Sequence, residues 1–224
     1  MKQKTKKITS QILTRLFSLV SSGLILSALS LWVFFEIAEE VLEQETKALD
    51  TAILQHFQSW HTPVLNQIFR GITVLGNPNF LILFTGVVSL ILIHYKQKAK
   101  LGILAIASGG AMGLNYWLKV LFSRSRPQLW QQIVDVKFKS FPSGHAMISL
   151  VVYGIVSYYL ITQFKASSKV IITLTSLLIF IIGLSRLYLG VHWPTDIIAG
   201  YAAGLVWLTA CIFSLKLAEK RFNL

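Results

Sequence analysis

Long apolar runs broken by short charged stretches set the pattern of this chain. Runs that read as helical spans lie near residues 14–36, 79–95, 101–122, 146–164, 170–188 and 196–215. Each is close to the ~20 residues a helix needs to cross a bilayer. A soluble domain carries about 25% charged residues, whereas here the share is 13%, with a mean hydropathy of +0.63. In water such a chain would expose a large apolar surface and associate through it. The pattern predicts an all-α integral membrane protein, a six-transmembrane-helix bundle forming a single domain over residues 1–224.

The first run is continuous from Leu16 to Phe35 apart from Ser and Gly, and the basic MKQKTKK precedes it. It is long, ends in WVFFE and has no small-x-small cleavage site, so it reads as a retained span rather than a signal peptide. The third run, LGILAIASGGAMGLNYWLKVLF, is rich in Gly and Ala, as where helices pack closely in lipid. Gly109, Gly110 and Gly113 read as packing positions, since no GxxxxGK[ST] phosphate loop surrounds them. Cys211 sits inside an apolar run and reads as a small packing residue. The segment 37–78 is long for a connection. Val41, Leu42, Leu49, Ile53, Leu54 and Phe57 make a partial helical stripe there. Trp60, Phe69 and the nearby acids suit an interfacial helical segment between spans one and two. Plain amphipathic packing would account for it; covering a site or admitting lipid is the functional alternative.

Six spans put both termini on one side, and charge identifies the side. Lys2, Lys4, Lys6, Lys7, Arg15, Lys96, Lys98, Lys100, Lys165, Lys169, Lys216, Lys220 and Arg221 fall on the terminal face, opposed only by Glu219. The whole net charge of +12 therefore sits on that face. By the positive-inside rule both termini are cytoplasmic, in a multi-pass protein of the cytoplasmic (plasma) membrane. The basic surplus is a topology signal and an attraction to anionic lipid; no basic stretch interleaves with aromatics as a nucleic-acid surface would require.

The same topology sends three reactive phrases to the opposite, outer interface. They are Lys119-VLFSRS-Arg126-Pro127 (119–127), Pro142-Ser143-Gly144-His145 (142–145) and Ser185-Arg186-LYLGV-His192-WPT-Asp196 (185–196). A neutral imidazole attacks phosphorus well when a carboxylate fixes its tautomer. Asp196 follows His192 by four residues, after Pro194, in a position suited to a first helical turn. A capping Asp beside an incidental His is the ordinary alternative. Ser143 suits a helix cap, Gly144 permits close backbone approach, and the amides of that helix start form an anion site. His145 there could donate a proton to a departing oxygen; an incidental interfacial histidine is the plainer reading.

Lys119, Arg126 and Arg186 lie at the outer ends of apolar spans, where a cation costs about 2.5–3.5 kcal/mol on insertion scales unless it snorkels or pairs. The protein partners on offer are Asp135, Asp196 and the acids of 36–50, and a bound phosphate would satisfy all three cations at once. Arg124 reads as a solvated or lipid-facing charge, and Lys137 and Lys139 as surface charge. His145, His192 and Asp196 could in principle hold zinc. Three cations converging there would repel a divalent ion and favour an oxyanion, so no metal is expected.

Taken together, the phrases resemble the signature of the type 2 phosphatidic acid phosphatase family, the membrane lipid phosphate phosphatases. The pattern KxxxxxxRP, PSGH and SRxxxxxHxxxD is present complete and in order. The resemblance implies that His192 is the nucleophile forming a phosphohistidine, that Asp196 orients it, and that His145 is the general acid and base. It implies phosphate binding by Lys119, Arg126, Ser143, Gly144 and Arg186, and chemistry without metal or other cofactor. Soluble haloperoxidases share the pocket, but they lack membrane spans.

The expectation is a lipid phosphate phosphatase acting at the outer face on a phospholipid or polyprenyl substrate in the bilayer. Phosphatidylglycerol phosphate ranks narrowly ahead of undecaprenyl pyrophosphate, with phosphatidic acid and diacylglycerol pyrophosphate behind them. The alternatives are a lipid phosphotransferase using the same histidine and a non-enzymatic lipid transporter or scaffold.

Overall fold

The computed structural model describes the backbone of residues 2–130, 134, 136 and 138–222, and the side chains of 22–130, 134, 136 and 138–218. The N-terminal basic cluster from Lys2 to Arg15, and Asp135, Lys137, Glu219, Lys220 and Arg221, have side chains outside the described residues.

Among the described residues the chain is helical and without strands. Its helices are α1 (Lys2–Leu42), α2 (Lys47–Gln58), α3 (Pro63–Val74), α4 (Pro78–His94), α5 (Lys98–Phe122), α6 (Gly144–Gln163), α7 (Ser168–Tyr188) and α8 (Pro194–Phe222). Four of them, α5 to α8, are long and apolar enough to cross a membrane. α3 and α4 together would make a fifth, broken by a bend of 46°. The described part of α1 turns Leu24, Ile25, Leu29, Trp32 and Phe35 outward.

Local chemistry sets the starts. Thr62 accepts from the Leu65 amide ahead of Pro63, and Asn77 accepts from the Asn79 amide ahead of Pro78. These are cap-then-proline signals for α3 and α4. Pro194 is likewise the first residue of α8, though no side-chain cap precedes it. The segment 37–78 is thus not one interfacial helix but the tail of α1 followed by α2, α3 and the turn into α4. Its expected apolar stripe is split: Val41 and Leu54 are buried, while Leu42 and Leu49 are exposed.

α6 is the axis of the bundle. Every residue from Ala146 to Tyr153 is buried, enclosed by α5, α7 and α8. Small residues allow the close approach. A Cβ at Gly200 would lie 2.8 Å from the Ser143 carbonyl oxygen, and one at Gly204 3.0 Å from that of Met147. Gly110 is equally required, since its Cβ would fall 2.1 Å from the Trp207 ring. Gly109 and Gly113, expected to pack likewise, face open space; only the middle glycine meets α8. Cys211 is buried, as expected.

This packing brings the last turns of α5 and α7 and the first turns of α6 and α8 together at one end. At the other end Lys100 and Lys216 lie over the rings of Tyr159 and Tyr158.

Replacing Gly200 by Ala should push α8 off α6 and destabilise the protein by about 1–3 kcal/mol, the usual cost of overpacking. Gly86→Ala, where a Cβ meets nothing within 4 Å, should be neutral or slightly stabilising. Thermal unfolding in detergent distinguishes the two; equal melting temperatures would contradict the packing described.

Candidate active site

The link between α7 and α8 carries His192, and the first turn of α8 carries Asp196. Asp196 reaches back to accept from the Trp193 amide at 2.9 Å, so the carboxylate closes the helix start much as in a capping box. The same oxygen lies 3.1 Å from His192 Nδ1 and accepts a short hydrogen bond from Ser140 Oγ. Both His192 and Asp196 are buried. With Nδ1–H donating to the carboxylate, Nε2 is the unprotonated nitrogen, and Arg126 Nη1 lies 3.2 Å from it. The i,i+4 spacing read from the sequence is a contacting pair.

Ser143 caps α6 weakly, its hydroxyl accepting from the Ala146 amide at 3.5 Å, and its own amide donates to the Asp196 carbonyl. Gly144 is confined by Asn115, since an added Cβ would sit 2.9 Å from Asn115 Oδ1. Asn115 in turn donates to the Pro142 carbonyl at 3.2 Å, fixing the loop that enters α6. His145 packs against the α3–α4 turn, close enough that a Cβ on Gly76 would be 2.9 Å from its Cδ2. The charges acting on its ring are those of Arg186, His192, Arg126 and Lys119.

Of the three candidate phosphate-binding cations, Lys119 and Arg126 are aimed by backbone carbonyls and Arg186 by a hydroxyl. Lys119 Nζ donates to the carbonyls of Lys139 at 2.6 Å and Ser140 at 3.1 Å, leaving a third N–H. Arg126 donates from Nε to the Phe138 carbonyl at 2.6 Å and from Nη1 to that of Val191. Arg186 is 3% exposed, donates to Thr73 Oγ1 at 2.6 Å, and keeps a buried Nε–H with no partner. An unpaired guanidinium donor in a dry site is costly, and a bound oxyanion would relieve it.

Burial pushes His192 well below the ordinary imidazole range, and the positive charges of Arg126, Lys119 and Arg186 push it the same way. Burial also lowers Arg126, with Asp196 opposing. The site therefore favours neutral His192 and welcomes an anion.

The expected surface role of Arg124 is corrected. Its guanidinium bonds Asp196 Oδ1 at 2.7 Å, Thr195 Oγ1 at 2.8 Å and Asp50 Oδ2 at 2.8 Å. Asp50, on α2, also accepts from the Thr195 amide and hydroxyl. Of the acids in 36–50, this one finds a cation. Sequence reading also missed Ser140, Asn115, Thr73 and Thr195. A signal for Asp50 existed: it lies four residues before the fully buried Leu54, a carboxylate on a buried helix face. Lys139 is exposed, as expected, and contributes its carbonyl. Among the described residues no group of three His, Cys, Asp or Glu side chains could hold a metal ion.

Comparison with known proteins gives the same neighbourhood. The family model described as the PAP2 superfamily matches residues 100–218. A phosphatidylglycerophosphatase B from Bacillus subtilis is 30% identical over 181 residues, covering 79% of this chain and 89% of its own. An undecaprenyl-diphosphatase from Sulfolobus acidocaldarius is 32% identical over 123 residues, 52% of this chain and 56% of its own. The crystal structure of a transmembrane PAP2 type phosphatidylglycerolphosphate phosphatase from Bacillus subtilis superposes with a TM-score of 0.79 at 26% identity. It covers 87% of this chain and 96% of its own. The Aquifex aeolicus LpxE structure shares the fold, with a TM-score of 0.60 over 75% of this chain and 95% of its own.

As pH falls through about 6.5 an ordinary imidazole takes up its proton; His192, its pKa lowered, should not. In 15N spectra of the detergent-solubilised protein, assigned by His192→Asn, His192 should remain a neutral imidazole at pH 6. An imidazolium signal there would contradict the electrostatics described.

Proposed function

The chain belongs to the PAP2 superfamily, and from that premise we propose that it is a membrane lipid phosphate phosphatase working through a phosphohistidine on His192. The observation that carries this reading is the buried His192–Asp196 pair, its unprotonated Nε2 accepting from Arg126 beside Lys119 and Arg186.

The substrate phosphate sits among Lys119, Arg126 and Arg186 and the start of α6, where Gly144 offers its amide and Ser143 its hydroxyl. Nε2 of His192 attacks phosphorus as the bond to the lipid oxygen breaks, and His145, carrying the proton that enters with the substrate phosphate monoanion, delivers it to that oxygen. Asp196 holds the Nδ1 proton and stabilises the positive charge the ring acquires. The cations neutralise charge building on the equatorial oxygens. His145, now a base, takes a proton from water, which attacks phosphorus; the P–N bond breaks and inorganic phosphate leaves. Every step uses groups of the chain itself, and no metal is required.

Four spanning helices with one end at the site, and basic residues Lys96, Lys98, Lys100, Lys165, Lys169 and Lys216 at the far end, are consistent with the six-span frame in the plasma membrane that we propose. In it both termini are cytoplasmic and the site faces outward. The substrate we rank first is phosphatidylglycerol phosphate, supported by the long match to a phosphatidylglycerophosphatase B. Undecaprenyl pyrophosphate is the second reading, supported by the outward site and the shorter match to an undecaprenyl-diphosphatase.

Purified protein given phosphatidylglycerol phosphate, undecaprenyl pyrophosphate, phosphatidic acid and diacylglycerol pyrophosphate in turn should release phosphate fastest from the first. Release should match lipid consumed, persist in chelator and stop with vanadate. His192→Asn should lower kcat at least about a thousandfold while still binding lipid. Full turnover in that variant would end the phosphohistidine mechanism, strict magnesium dependence the metal-free one, and transfer to another lipid would make the protein a phosphotransferase.

A further inference from the structure

Arg124 and Asp50 lie outside the groups assigned to phosphate, yet they are built into the same buried network. Arg124 is 14% exposed and Asp50 1%. The guanidinium spans two carboxylates, Nη1 on Asp196 Oδ1 and Nη2 on Asp50 Oδ2. Thr195 locks the arrangement, accepting from Arg124 while giving its hydroxyl and amide to Asp50. The Trp193 ring lies 5.5 Å from the guanidinium carbon and covers it. A lysine could supply the charge but not this planar two-sided fork.

From this geometry, and resting on the functional reading above, we propose that Asp50 and Arg124 are a positioning pair that holds Asp196 charged and aimed at His192. The argument turns on charge division. One cation shared between two carboxylates leaves the cluster with a net negative charge. Were Arg124 paired with Asp196 alone, it would cancel the charge that must stabilise the His192 cation formed during phosphoryl transfer. Were Arg124 absent, two buried carboxylates would face one another without a cation. Asp50 therefore tempers Arg124, and Arg124 keeps Asp196 in place. The other charges facing Asp196 are Lys119 on α5, Arg126 on the loop after it, and His192 itself; these belong to the phosphate site and are left unchanged in the test.

The test is a mutant cycle with two readouts. Asp50→Asn should lower kcat on the order of ten- to a hundredfold with KM unchanged, because a charged hydrogen bond is lost away from the phosphate. Arg124→Gln should lower kcat further. In the Arg124→Gln background, Asp50→Asn should restore activity rather than lose more, since it removes the unpaired second carboxylate; such non-additivity marks direct coupling. Independently of any substrate, 15N shifts of His192 in the resting protein should show Nδ1 protonated and Nε2 bare in wild type. The two tautomers should mix in Arg124→Gln and separate again in the double variant. Additive losses in kcat, or a rise in KM with kcat unchanged, would overturn the proposal. So would an unmoved His192 tautomer in folded Arg124→Gln. If wild type hydrolyses none of the four lipids while the tautomer responds as described, the positioning pair stands and the phosphatase reading falls. Should Arg124→Gln not fold, the isosteric Asp50→Asn decides alone: unchanged kcat would refute the role.

Discussion

A single buried carboxylate organises the site end of this protein. A charge taken out of water must be repaid by partners or it destabilises the fold, and Asp196 is supplied from four directions. Trp193 gives its backbone amide, Ser140 its hydroxyl, His192 its Nδ1–H and Arg124 its guanidinium. Those donors come from two segments, Arg124 and Ser140 from the loop between α5 and α6 and His192 and Trp193 from the α7–α8 link, while Asp196 itself stands in the first turn of α8. Through Arg124 the network extends to α2. Removing one partner from a buried pair costs about 3–5 kcal/mol, so segments distant in sequence are held in one arrangement by a single anion.

The cations divide by what already occupies them. Arg124 is committed to carboxylates, whereas Lys119 and Arg126 are aimed by carbonyl oxygens, which hold a cation without cancelling its charge. Arg186 has one hydroxyl partner and an idle buried N–H. Three positive charges beside one neutral, oriented imidazole make a site that favours a multiply charged oxyanion. Burial, reinforced by that field, keeps His192 unprotonated, so the cations that would grip phosphate also help ready the proposed nucleophile.

Much of this was legible in the sequence, for definite reasons. Apolar runs gave the helices from α4 to α7 and the start of α8 within a few residues, because bilayer thickness fixes run length, while α8 continues seven residues past the expected end. Asp196 could be paired with His192 because i,i+4 spacing after a proline leaves little freedom. Ser143 before Gly144 announced a cap. The failures share a cause as well. Arg124 looked like solvated charge because its partner Asp50, the one acid of α2, is 74 residues away. Thr73, Ser140 and Asn115 carry no charge and no motif; only their placement makes them partners. Gly109 and Gly113 look like Gly110, and which glycine meets Trp207 depends on the rotation of α5, a property of the packed bundle.

That distribution bears on what makes a complete site. The family match begins at residue 100, yet two of the groups that order the network, Asp50 and Thr73, lie before it. Asp50 bonds the guanidinium that also holds Asp196, and Thr73 accepts from Arg186. Residues 100–218 carry every group assigned to the reaction, but the partners that restrain Arg124 and Arg186 come from α2 and α3. Those two helices also turn apolar side chains outward, among them Leu49, Val64 and Ile68. The surface they present and the geometry of the reacting groups are therefore mechanically joined. Change in α2 or α3 would reach the proposed chemistry through Asp50 and Thr73, without touching a residue of the three phrases.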